Sequence, residues 1–145
     1  MTATPDLSLA RRVLDDLRVS FPHLQILDDS DPHLDLGITI PVQAGMTFPI
    51  GVNLQGDELH LNAGDAFWVE WFPCTDPEVV AKFREAVWGL IQGSYRIVET
   101  YSFGEITTAQ LQQPVNGRWK KVATYSRAFA LRLPFFAKRS ILRNG

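Results

Sequence analysis

The chain has 145 residues, a formal net charge of −2, 46 % apolar and 21 % charged residues. That profile excludes disordered and fibrous chains, and a sequence of this length can bury a core without staples. The single Cys74 excludes an intramolecular disulfide framework and suits a reducing compartment, so a cytoplasmic location is expected. The first residues, Met1-Thr2-Ala3-Thr4-Pro5-Asp6, carry neither a basic nor an apolar leader region, and no signal peptide is predicted. No apolar run approaches the ~20 residues that span a bilayer. The near-neutral total hides a polarity. Residues 1–72 hold 3 basic and 11 acidic side chains, net −8, and residues 73–145 hold 11 and 5, net +6.

The first predicted element is a helix. Leu7, Ala10, Val13, Leu14, Leu17 and Phe21 recur at helical spacing, with Arg11, Arg12, Asp15, Asp16 and Arg18 on the opposite face. Asp6 or Ser8 caps its start and Pro22 ends it. A polar connector follows at Asp28-Asp29-Ser30-Asp31-Pro32. Leu34, Leu36, Ile38, Ile40 and Val42 then alternate with polar residues or glycine, the pattern of a strand with one wet face, and Pro41 limits its pairing. Ala44-Gly45 turns into a second strand through Phe48, Ile50, Val52 and Leu54, and Gly56-Asp57 makes a tight turn into Leu59, Leu61 and Ala63. The run Ala66 to Phe72 is apolar on both faces and reads as a central strand covered on both sides.

The second helix has two readings of its start. Thr75 with Glu78 forms a capping box, and Asp76 followed by Pro77 serves equally well. Val80, Phe83, Val87, Leu90 and Ile91 form its buried stripe, and Gly93 closes it. Tyr95 to Phe103 alternates as a strand, Gly104-Glu105 turns into Ile106 to Gln112, and Asn116-Gly117 is a strong hairpin signal before Arg118 to Tyr125. Ala128 to Leu133 reads as one more strand, and Phe135 to Arg143 as a short basic helix. The expected fold is α+β, one domain over residues 1–145. It is a two-layer sandwich of order α-ββββ-α-βββ(β), with seven to eight antiparallel strands, two main helices on one face, and residues 134–145 as a basic tail. This element order resembles that of small secretion-chaperone-like α+β proteins, which implies a homodimer holding a partner segment.

Catalytic signatures are absent, and no catalytic residue or cofactor is expected. There is no nucleophile elbow, phosphate loop or dinucleotide fingerprint. Cys74 precedes a helix start, where a thiolate is favoured, yet no histidine lies in a known signature and a packed residue is the plainer role. Asp28, Asp29, Asp31, His33 and Asp35 crowd together without calcium-loop spacing, so they read as a solvated turn and no metal is expected. Glu99 shares a strand face with Tyr95, Ile97, Tyr101 and Phe103. A carboxylate there is an acid–base candidate if the face is buried, and simply wet, the favoured reading, if it is not.

The strongest compositional signal lies near the C-terminus. No acidic residue occurs from Ile106 to Gly145, against eight Lys and Arg. In the strand from 118, Arg118, Lys120, Thr124 and Ser126 alternate with Trp119, Lys121, Ala123 and Tyr125. Cations interleaved with aromatics suit nucleic acid, but the acidic total disfavours it. Packing of the acidic half beside the basic half is the plainer account. The expected function is a non-enzymatic protein-binding module acting as a dimer, with Glu99, Tyr101, Trp119, Lys120, Lys121 and Tyr125 as binding residues. The alternative is a small-ligand or enzymatic pocket between sheet and helices.

Overall fold

Residues 6–127 and 138–145 are described by the structure, a computed structural model. Helix α1 (Ser8–Ser20) leads into strands β1 (Leu27–Asp28), β2 (Leu36–Ile40), β3 (Ile50–Gln55), β4 (Glu58–Ala63) and β5 (Phe67–Trp71). Helix α2 (Pro77–Gln92) leads into β6 (Arg96–Ser102), β7 (Glu105–Val115), β8 (Arg118–Ser126) and β9 (Lys138–Leu142). The strands form two antiparallel sheets, one of five in the order β1-β2-β3-β4-β5 and one of four in the order β8-β7-β6-β9. The α+β class therefore stands, with nine described strands divided between two sheets.

Local chemistry accounts for the boundaries. The Asp6 carboxylate accepts the Ser8 N–H at the start of α1. Asp76, not Thr75, caps α2: its side chain accepts from Glu78 N–H, and Pro77 takes the first helical position. Gly93 ends α2 with φ of 81°, and a Cβ there would collide with the Asn144 carbonyl oxygen, so only glycine fits. Two-residue turns join β6 to β7 at Phe103-Gly104 and β7 to β8 at Asn116-Gly117. All four residues have positive φ, the hairpin geometry that matches strand twist.

The inner face of the five-stranded sheet is built in rows. Leu36, Leu54, Leu59 and Trp71 are aligned, then Ile38, Val52, Leu61 and Val69, then Ile40, Ile50, Ala63 and Phe67. Val13 and Leu17 of α1, Phe83 and Leu90 of α2, and Ile97, Ala109 and Leu111 of the second sheet join these residues in one contiguous buried cluster. Both sheets thus turn one face to a shared core and the other outward.

Three expectations need correction. β5 is the last strand of its sheet, not a central one, and outward-facing Trp68 is 42 % exposed. Its apolar residues on the other face meet the core and the neighbouring β7 and β8. Residues 138–142 form β9 rather than a helix, because β6 offers a free edge to which they hydrogen-bond from Leu142 opposite Ile97 to Lys138 opposite Tyr101. The last residues are no loose tail. Asn144 is buried, donating to the Leu90 carbonyl and accepting from Thr47 N–H. The strand expected at Ala128 to Leu133 and the start of the expected helix, Phe135 to Ala137, lie outside the described residues.

Candidate functional sites on two opposed sheet faces

The second sheet separates the six residues singled out from sequence. Glu99 and Tyr101 lie on its inner side, and Glu99 is only 2 % exposed. The expectation of a wet Glu99 is overturned, because β6 is flanked by β7 and β9 and sets Glu99 between Ala109 and Ser140. Its Oε2 accepts the Tyr101 hydroxyl at 2.9 Å. Burial, and then that bond, push the Tyr101 hydroxyl above its ordinary pKa.

A bulge explains the rest. Leu111 faces Ala123 but Gln112 faces Lys121, so Val122 is an extra residue in β8. Strict alternation would put Trp119 and Tyr125 on one face. The bulge instead sends Tyr125 inward beside Ala109, and Trp119 and Lys121 outward with the row of Gln112 and Arg96. Lys120 lies opposite Gln113, away from Lys121. Trp119 is not open for stacking, since the Arg96 guanidinium sits 4.1 Å from its ring centre and Arg143 lies 5.3 Å away.

Outside Trp119, the outer face of this sheet forms a shallow hollow of about 250 Å³. Its floor is Val98 and Ile141, its walls are threonine and glutamine side chains, and its charges are Arg96 and Arg139. Among the described residues no carboxylate lines it. Arg96 Nε is held by Gln112 Oε1 at 2.8 Å, which fixes where that charge points.

On the five-stranded sheet the outer face carries the opposite sign. Asn53, His60 and Glu70 stand side by side across β3, β4 and β5. Glu58, two residues before His60 on the same face, brings Oε2 to 2.9 Å from His60 Nε2, and Glu70 Oε2 lies 3.8 Å from that nitrogen. His60 is 8 % exposed, with the Trp68 ring edge-on at 5.2 Å. Nothing in the linear sequence joins this group, since Glu70 lies ten residues beyond His60. The hairpin supplies the missing link: with Ala63 opposite Phe67, His60 must face Glu70.

Other candidates resolve locally. Cys74 is fully buried, and burial with the nearby Asp57 charge pushes its thiol pKa up, the reverse of an activated nucleophile. In the acidic connector Asp29 and Asp31 accept backbone N–H groups two residues on, Asp35 accepts from Gly56, and Asp28 pairs with Arg18. No described helix is long and apolar enough to cross a membrane. Compared with known proteins, the chain matches no family model, no curated protein and no solved structure.

Proposed function

We propose that the chain is a non-enzymatic binding module acting in the cytoplasm, and that the outer face of its four-stranded sheet takes an extended, acidic segment of a partner protein. The observation that carries this reading is the hollow with Arg96 and Arg139 and no carboxylate among its described lining residues. Arg139 stands opposite Thr100, four residues along β6 from Arg96, a separation of about 13 Å at strand rise. An extended segment with acidic residues four apart matches both guanidiniums, and Val98 and Ile141 contact the side chains between them. Complementary charge sets orientation and encounter rate more than affinity, so binding is salt-sensitive. Nucleic acid is disfavoured because the Trp119 ring already carries the Arg96 guanidinium, which a stacking base would have to displace.

The test is fluorescence anisotropy with a labelled 20-residue peptide in which Glu recurs every fourth position. The full chain binds it at low salt and releases it at high salt, Arg139→Glu abolishes binding, and Lys120→Glu on the other side does not. No binding, or tighter binding of a single-stranded oligonucleotide, refutes the reading. Light scattering on the same samples checks the expected dimer.

A further inference from the structure

The Glu58–His60–Glu70 group is independent of the basic hollow, and the geometry points to a binding site for one divalent transition-metal ion of the zinc or manganese class. Three observations converge. The first is spacing. One ligand atom from each residue lies within 4.8 Å of the others, and the two carboxylate oxygens are 2.9 and 3.8 Å from the same imidazole nitrogen. Metal bonds near 2.1 Å place adjacent donors about 3.0 Å apart in an octahedron and about 3.4 Å apart in a tetrahedron. The observed pair brackets both values, so small side-chain rotations suffice to close the set on an ion.

The second observation is an orphaned oxygen. Asn53 stands directly opposite His60, and its Oδ1 is buried with no hydrogen-bond partner. A buried carbonyl oxygen without a donor is costly and calls for an explanation. Asn53 shares the outer face with His60, so the strand register places this unpaired amide oxygen beside the three-residue group, where a cation would answer it. The third is charge. Between Arg18 and Lys82 the sequence contains no Lys or Arg, so the strands that present Glu58 and Glu70 bring no fixed cation to offset them. The rigidity is also right, since all four residues project from hydrogen-bonded strands rather than loops. One imidazole with carboxylate and amide oxygens favours zinc or manganese over the oxygen-only preference of calcium.

The experiment is calorimetric titration of the chelator-stripped full chain with zinc chloride, then manganese and calcium chlorides. One zinc ion binds per chain, manganese binds more weakly, and calcium is weakest. Even changes outside the ligand set cost about 10–100-fold in metal affinity, so His60→Ala and Glu70→Gln each lower zinc affinity at least tenfold. Glu70→Gln keeps the side-chain size at a partly exposed position and guards against a folding artefact, with circular dichroism to check both variants. Absence of saturable zinc binding, or one-to-one binding that both variants retain, overturns the site.

Discussion

The two sheets are alike inside and opposite outside. Each turns aliphatic rows to a common core. Outward, the five-stranded sheet presents Glu58 and Glu70 around His60, and the four-stranded sheet presents Arg96, Lys121 and Arg139. The division of charge between the two halves of the sequence, −8 against +6, thus has a local counterpart in the signs of these two outer faces. Among the described residues one ion pair, Arg84 with Asp16, joins the halves, and it links the helices rather than the sheets. Direct charge pairing between the acidic and basic halves is thus confined, among the described ion pairs, to this one contact between helices. Uncompensated surface charge bears on partners and solubility rather than on fold, so the two outer faces are where function is sought.

The largest effect comes from breaking what the sheets share. Leu61 at the centre of the first sheet and Ile97 at the centre of the second are both fully buried. Truncating either to alanine should cost about 2–5 kcal/mol, read by urea denaturation. Because the buried cluster spans both sheets, each variant should shift one cooperative transition. Two separable transitions, one per sheet, would break the idea of a common core. A smaller loss is expected from Tyr101→Phe, which removes the donor to buried Glu99. Leaving a buried acceptor unsatisfied costs about 1–3 kcal/mol. A loss well below that range in the same denaturation would show that Glu99 finds another partner.

Much of the fold was legible because burial is periodic. The stripes of both helices and the alternation from Leu34 to Ala63 encode one-sided burial directly. What escaped was set by neighbours remote in sequence. Ala66 to Phe72 is apolar on both faces, which suits a covered central strand, yet β5 is the last strand of its sheet with Trp68 turned outward. Lys138 to Leu142 has helix-tolerant composition, and only the open edge of β6 makes it a strand. Of the candidate residues, Trp119 and Lys121 do reach an outer face. Tyr125 is diverted inward by the bulge at Val122, which no alternation pattern announces. The Glu58–His60–Glu70 group was readable in principle from the turn that fixes the hairpin register.

Alkali should weaken both inner faces. Cys74 is raised by burial and the Asp57 charge, Tyr95 by burial and the Glu85 charge, and Tyr101 by burial and Glu99. An acid whose folded pKa is raised keeps its proton longer in the folded chain than in the unfolded one. Its stabilisation is full below the unfolded value and lost as pH rises through the folded one. Stability should therefore hold to about pH 8.5, where an unperturbed thiol titrates, and decline above it. Cys74→Ala should flatten the earliest part of that decline. Unchanged midpoints between pH 8 and 11 would remove these groups as contributors.

The smallest expected effect sharpens the contrast most. Arg84 holds Asp16 at 2.7 Å and lies 4.2 Å from the centre of the Trp88 ring. Both side chains of the ion pair are about 40 % exposed, so water and salt screen it, and such pairs contribute about 0.2–1 kcal/mol. Asp16→Asn removes the carboxylate charge and leaves the guanidinium on the indole. It should cost less than about 1 kcal/mol, and the difference should shrink toward zero at 1 M salt, where the screening length is about 3 Å. Arg84→Gln should cost somewhat more, since it also removes the cation–π contact. If Asp16→Asn instead destabilised as much as Tyr101→Phe, attraction between the acidic and basic halves would be holding the fold together. The separation of the two sheet faces would then be a by-product of folding rather than a surface kept for partners.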